Sequence, residues 1–435
     1  VSPESPRDAA LDQDAQEQDA EAPESGLEDA GTDAASDASS PPEEASCNTI
    51  GRDVRFNNDV ILPFASDRDG LLLTATIVSA FERGRGELYA SEPYLHQVSV
   101  LRGCDPYCEI SVLSAGLVAP LRATPVDFDG DGDRDVLVAD IGLVQARVDL
   151  VGRVVLLVNE GSAGYRARVL LDGVGRVACA EPADLDNDGD IDVSVCEFGA
   201  KDGSLSWLER TASGGFQRHI LRSEAGTIHA YPFDADADGD LDLGVALSQK
   251  AQQVLLYRNQ GGGQFSEEVL YQAANERFGL SGIELDDLDR DGDTDILVAA
   301  GDYQDDTSDL TQHGLYFLRN DGSGRFAAAQ RLSNAPGVQT VKAIDLDDDC
   351  DTDLVLGSLI VPAMLPPELA SAPDLIWLEN DGMLSFEPHT ISGAPKQLTS
   401  LAAIHVAGSA SLFAGSFSIA PAAAGQERLT RLRVY

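Results

Sequence analysis

Five times the chain spells a nine-residue run of alternating aspartates. The runs are DFDGDGDRD from Asp127, DLDNDGDID from Asp184, DADADGDLD from Asp234, DLDRDGDTD from Asp287 and DLDDDCDTD from Asp345. Carboxylates this close repel one another strongly in the low-dielectric setting of a folded loop. Such a chain folds only into something that places positive charge within each run, and the even recurrence calls for a repeat architecture.

The residues around the runs keep one order from about Arg52 to Tyr435. A short apolar segment precedes the aspartates, and an aliphatic run follows them (VLVAD, VSVCEF, LGVALS, ILVAAG, LVLGSL). A turn, a second run ending near Asn, a glycine turn and an aromatic-led run complete the unit. Short β-branched or aliphatic runs bounded by Gly and Asp read as buried strands. Four strands per unit of about 50–60 residues predict a propeller blade. Two degenerate units flank the five acidic ones. SDRDGLLLTATIV retains only Asp67, Asp69 and Gly70 of a loop, and LAAIHVAGSASLFAGSFS carries His405 where an aspartate would stand. The expected fold is therefore all-β: a seven-bladed β-propeller over residues 47–435, with calcium-binding loops. RLTRLRVY supplies only a third strand to the last unit. The N-terminal RDVRF is expected to add the fourth and close the ring, removing exposed edges.

Calcium is the cation these loops suit, since it takes six to eight oxygens at about 2.3–2.6 Å. Aspartates at loop positions 1, 3 and 5 point inward, position 6 bends sharply as glycine, position 7 offers its carbonyl and the aspartate at 9 closes the shell. The candidate ligands are Asp127, Asp129, Asp131, Asp133 and Asp135; Asp184, Asp186, Asp188, Asp190 and Asp192; Asp234, Asp236, Asp238, Asp240 and Asp242; Asp287, Asp289, Asp291, Asp293 and Asp295; and Asp345, Asp347, Asp349, Asp351 and Asp353. The EF-hand begins alike but requires a Glu at position 12 and flanking helices; here position 12 is apolar and both flanks are β. Magnesium fits less well, because it keeps several waters in an octahedral shell. Four to five structural calcium ions are expected. In the fifth loop Cys350 occupies the glycine position, where a side chain resists positive φ, so that site is expected to be distorted, weaker or empty.

Tandem D-x-D-x-D-G-D-x-D loops between strands resemble FG-GAP/VCBS-type repeats, the kind that build the calcium-binding propeller of integrin α chains. The resemblance covers roughly residues 52–435 and is strongest in the five central units. It implies calcium in the loop joining the first and second strand of each blade. It also implies an extracytoplasmic adhesion or binding protein. A few related propellers are polysaccharide lyases or lectins, so the fold alone does not decide function.

Charge and cysteines bound the setting. The formal net charge is −44, which argues against nucleic-acid and anionic-membrane partners, and no apolar run is long enough to span a bilayer. Residues 1–46 carry fourteen acids against Arg7 alone. A segment so poor in large apolar side chains is expected to be a disordered acidic linker. It resembles the spacer of bacterial lipoproteins, although position 1 is Val and not a lipid-bearing cysteine. The expectation is a monomer, secreted or at the cell surface or periplasm, with a tether to the outer membrane as one form of it. Six cysteines favour an oxidising compartment: Cys104 with Cys108, Cys179 with Cys196 across the second loop, and Cys47 with Cys350.

The innermost strands supply a second candidate site. Three residues before each loop stand Thr124, Glu181, Tyr231, Glu284, Lys342 and Ala402, and two residues earlier Arg122, Cys179, His229, Gly282, Thr340 and Ser400. A funnel carrying Arg122, Glu181, His229, Tyr231, Glu284 and Lys342 suits a polar ligand, or acid–base chemistry; the plain alternative is a channel whose charges pair. Trp207 and Trp377 recur at one third-strand position, and His219 and His389 at one outer-strand position, which points to blade packing. The reading is a binding or adhesion module for a protein or polysaccharide; the alternative is a propeller-type polysaccharide lyase or hydrolase using the funnel.

Overall fold

The aliphatic runs after the loops form strands buried along their whole length. Asp135–Asp140, Asp192–Glu197, Asp242–Leu247, Asp295–Ala300 and Asp353–Ser358 are each buried at every residue. A strand covered on both faces has no reason to alternate, and here each sheet is packed between two others. The computed structural model describes residues 56–63, 74–75, 77–81 and 87–434, except 105–107, 145–147, 200, 304–309, 363–364, 368, 392–395, 407–408 and 419–426. Contacts separate Val1–Ser46 from Cys47–Tyr435. The acidic tail, Cys47, Arg52–Arg55 and the Asp67–Gly70 fragment all lie outside the described residues.

Six antiparallel four-stranded sheets follow in chain order. Their innermost strands are Ile77–Phe81, Pro120–Val126, Val177–Ala183, Thr227–Phe233, Leu280–Asp286 and Val338–Ile344. A partial seventh sheet places Leu398–Val406 beside Ser409–Ser418 and then Glu427–Val434. Its outer strand comes from the other end of the chain: Phe56–Pro63 pairs antiparallel with Glu427–Val434, Phe56 opposite Val434. The ring thus closes with an N-terminal strand, which begins at Phe56 in the described residues and extends past the RDVRF segment.

Apolar clusters fill the gaps between neighbouring sheets. Leu137 and Leu156 meet Val193 and Leu208, Phe233 and Ala246 meet Ile283 and Ile296, and Ile404 and Phe413 of the last sheet meet Leu88 and Leu101 of the first. Each sheet offers apolar side chains on both faces, so stability is distributed around the ring. Successive inner strands touch, and Leu398–Val406 touches both Val338–Ile344 and Ile77–Phe81.

Two cysteine pairs form as expected. Cys104–Cys108 closes a small loop, and Cys179–Cys196 joins opposed residues of the first and second strands of one sheet. Cys350 is also disulfide-bonded.

Candidate metal centres and the axial cavity

The five acidic loops all join a first strand to a second. Position 2 of each is apolar and buried: Phe128, Leu185, Ala235, Leu288 and Leu346 are at most 2 % exposed. This plug holds the loop against the core while positions 1, 3 and 5 face each other. Position 1 accepts two loop N–H groups, as in Asp287, whose oxygens take Asp291 N at 3.1 Å and Gly292 N at 2.9 Å. Position 5 accepts the N–H of position 7 in every loop.

These turns gather carboxylate oxygens within 4.8 Å of one another: Asp127, Asp129 and Asp131; Asp234, Asp236 and Asp238; Asp287, Asp289 and Asp291; Asp345, Asp347 and Asp349. The second loop gathers Asp184, Asp186 and Asp192. Position 3 supplies the test of whether a cation fits. One oxygen each of Asp236, Asp289 and Asp347 is buried without a hydrogen-bond partner, as is one of Asp351. A buried, unsatisfied carboxylate oxygen is unfavourable by itself, and an all-oxygen cluster of this spacing matches a hard cation such as calcium. Nearby arginines meet part of the charge: Arg258 lies 3.4 Å from Asp236, and Arg319 pairs with Asp289 and, at 2.8 Å, with Asp291.

Position 9 does a job that spacing alone did not reveal. Its carboxylate is buried and bridges two backbone segments. One oxygen accepts the N–H of position 2 in the same loop, at 3.0–3.2 Å. The other accepts, at 2.7–2.8 Å, the N–H of the residue at the end of the third strand, Asn159, Arg210, Asn259 or Asn380, or of Asn320, two residues past it. Burial pushes these carboxyls up, to about 6 in Asp192 and Asp242 and about 7 in Asp295 and Asp353. Position 7 side chains stay outside the triads. Asp190 lies 3.9 Å from Arg210, and Asp240 accepts from Asn187 of the preceding loop.

The closing residues also reach sideways. Asn259 Nδ2 donates to the Leu185 carbonyl at 2.8 Å and Asn320 Nδ2 to the Ala235 carbonyl at 2.9 Å, in each case position 2 of the preceding loop. Arg210, standing where the others have Asn, reaches the Phe128 carbonyl with Nη1 at 2.8 Å.

The fifth loop is not distorted. Cys350 adopts φ 71°, against 88–95° for Gly132, Gly189, Gly239 and Gly292. The position-1 bonds persist, with Asp349 N at 3.2 Å and Cys350 N at 3.0 Å from Asp345. A second left-handed position, the fourth, went unforeseen: Asn187, Ala237, Arg290 and Asp348 all have φ near 60°.

The inner strands bring the six funnel residues together. A cavity of about 340 Å³ is lined by Arg122, His229, Tyr231, Glu284 and Lys342 among others. Arg122 donates to the Tyr231 hydroxyl and, at 2.8 Å, to His229 Nε2, and lies 3.7 Å from Glu181, which Thr124 also contacts at 3.1 Å. Lys342 pairs with Glu284. On the other side of the ring, Nδ1 lies against the backbone of Ile283, 3.0 Å from its N–H and 3.1 Å from its carbonyl. Burial first, then the guanidinium, holds His229 well below its ordinary value. Burial raises Tyr231 to about 12. Burial alone would lower Lys342, but the Glu284 carboxylate outweighs it and holds the ammonium above its usual range. Gly282 makes room for the ring, since a Cβ there would lie 2.6 Å from His229 Cε1.

Trp207 stacks on His219 at 4.6 Å and Trp377 lies over His389 at 4.7 Å, each histidine 2.6 Å from a glutamate, Glu209 or Glu379. Both tryptophans are buried, as expected of a packing role.

A buried ring of sheets with an acidic loop at the same turn of five of them defines a repeat propeller. The FG-GAP-like repeat model matches residues 127–195, 184–245, 234–298 and 287–356, together just over half of the 435 residues. The chain belongs to the FG-GAP-like repeat family. Each match runs from one acidic loop through the next and so straddles two sheets. No curated protein matches the sequence. Among solved structures, the WD40 domain of coronin from Toxoplasma gondii is similar with a TM-score of 0.47 and 11 % identity, covering 88 % of this chain and 87 % of that one.

Proposed function

We propose that the chain is an extracytoplasmic, calcium-stabilised seven-bladed β-propeller that acts as a binding or adhesion module for a protein or polysaccharide partner. The orphaned position-3 oxygens of Asp236, Asp289 and Asp347 carry the calcium part of this reading. Positions 1, 3 and 5 would hold the ion, with the position-7 carbonyl and the position-9 carboxylate completing the shell. The bound ion supplies charge neutralisation, which lets each hairpin keep its turn. Four to five ions in a monomer are expected. The disulfides support an oxidising compartment, and among the described residues no helix is long and apolar enough to cross a membrane.

The charge pairing along the axis favours binding over acid–base catalysis. Glu181 faces Arg122 and Glu284 faces Lys342, so neither carboxylate stands ready as a free base. The full chain, incubated with a panel of extracellular polysaccharides, tests this. Calcium-dependent retention with no new reducing or unsaturated ends supports a module. Chain cleavage abolished by Glu284→Gln or Lys342→Met would contradict it and establish the lyase or hydrolase alternative.

A further inference from the structure

The sideways bonds of the closing residues join with the position-9 clamps into one continuous path. Asp135 holds Phe128 N; the Phe128 carbonyl accepts from Arg210, whose own N–H is held by Asp192. Asp192 also holds Leu185 N, and the Leu185 carbonyl accepts from Asn259, whose N–H is held by Asp242. Asp242 holds Ala235 N, and the Ala235 carbonyl accepts from Asn320, whose N–H is held by Asp295. Four loops are thus wired in series through buried or half-buried groups. Asn259 and Asn320 also donate to position 8 of their own loops, at 3.1 and 3.2 Å. Asn380 keeps only that bond, to the Thr352 carbonyl at 3.1 Å, with no sideways one to the fourth loop among the described residues. What crosses from the fourth loop to the fifth is the exposed Arg290–Thr352 contact at 3.3 Å.

We propose that this relay makes the first four loops bind calcium cooperatively, while the fifth fills independently. The inference rests on the calcium reading given above. A loop without its ion is pushed open by its own carboxylates, which moves the position-2 carbonyl that anchors the next blade's Asn or Arg. That residue's N–H is one of two holding the next loop's position-9 aspartate, so an open loop loosens its neighbour. Filling one loop orders the anchor for the next, and the second ion then pays less of the ordering entropy.

Native mass spectrometry of the full chain across a calcium titration reads the coupling from the distribution of bound ions. With each linked neighbour raising affinity about fivefold or more, half-saturated protein shows empty and four-ion species well above, and intermediates well below, their binomial shares, each accompanied by a partner one ion heavier from the fifth loop. Arg210→Ala separates the first loop from a block of three, and Asn259→Ala gives two blocks of two. Arg210→Asn keeps the wild-type pattern, because Asn259 and Asn320 do this work in the next two blades, and Asn380→Ala also leaves it unchanged. A binomial distribution in the wild type overturns the coupling, as do Arg210→Ala and Asn259→Ala variants that both fold in saturating calcium and keep the wild-type pattern. The wild-type arm decides even where a variant fails to fold. No calcium bound at any concentration overturns the metal reading itself, a result distinct from binomial filling.

Discussion

The backbone N–H of Asn320 donates to Oδ1 of Asp295 at 2.8 Å, and Leu288 N donates to the other oxygen at 3.2 Å. One carboxylate therefore ties an acidic loop to the chain just past the third strand of its own blade. Removing it leaves two buried N–H groups without acceptors, each worth about 1–3 kcal/mol. Asp295→Ala is expected to lose about 2–6 kcal/mol in urea unfolding even in chelator, where only the clamp is lost, and more in calcium, where a ligand goes with it. Asp347→Ala should behave differently, since burial and its acidic neighbours push that carboxyl up to about 6 and one of its oxygens has no partner: destabilising in calcium, but neutral or stabilising in chelator. Equal stability of the two variants in chelator would contradict the clamp.

Cys350 holds a backbone position that glycine fills in the other loops. Cys350→Gly relieves the strain of a side-chain-bearing residue in the left-handed region by roughly 1–2 kcal/mol but removes a disulfide worth about 2–4 kcal/mol. The variant should be less stable than the wild type under oxidising conditions and slightly more stable under reductant. Unfolding curves with and without reductant check the reversal.

Gly282 borders the axial cavity at the one point where His229 needs the space. Gly282→Ala is expected to displace the imidazole, break its contact with Arg122 and destabilise the propeller by about 1–3 kcal/mol. A thermal melt of this variant beside Ala402→Gly, a change at another inner strand, separates the local clash from general loosening.

His229 also sets a pH dependence. Its folded value lies below the ordinary one, so its contribution is present above the unfolded value of about 6.5 and is lost as pH falls below it. Over that window the loss approaches about 1.4 kcal/mol per pH unit. The stability gap between wild type and His229→Gln should therefore shrink between pH 8 and pH 5. A constant gap would mean that the imidazole titrates normally.

Much of the architecture was legible because the aspartate loops mark the same turn in five sheets and so phase every strand between them. The same phasing placed Arg122, Glu181, His229, Tyr231, Glu284 and Lys342 on the axis. Phase does not show which inner-strand residues pair across blades, so Arg122 reaching over to Tyr231 and His229 was not foreseeable. The double duty of position 9 was hidden because a ligand and a clamp both require aspartate. Arg210 masked the relay, since its role coincides with Asn259 and Asn320 in space but not in residue type. Position 4 tolerates Asn, Ala, Arg and Asp alike, so its left-handed backbone left no compositional trace beyond Gly130.

Calcium dependence of folding tests the central claim most directly: a thermal melt of the full chain in calcium and in excess chelator, with bound ions counted by native mass spectrometry. The account predicts four or five ions and a large drop in melting temperature on chelation, as expected if each site contributes up to roughly 2–4 kcal/mol when calcium exceeds Kd by 100- to 1,000-fold. No bound ion and an unchanged melt would contradict it.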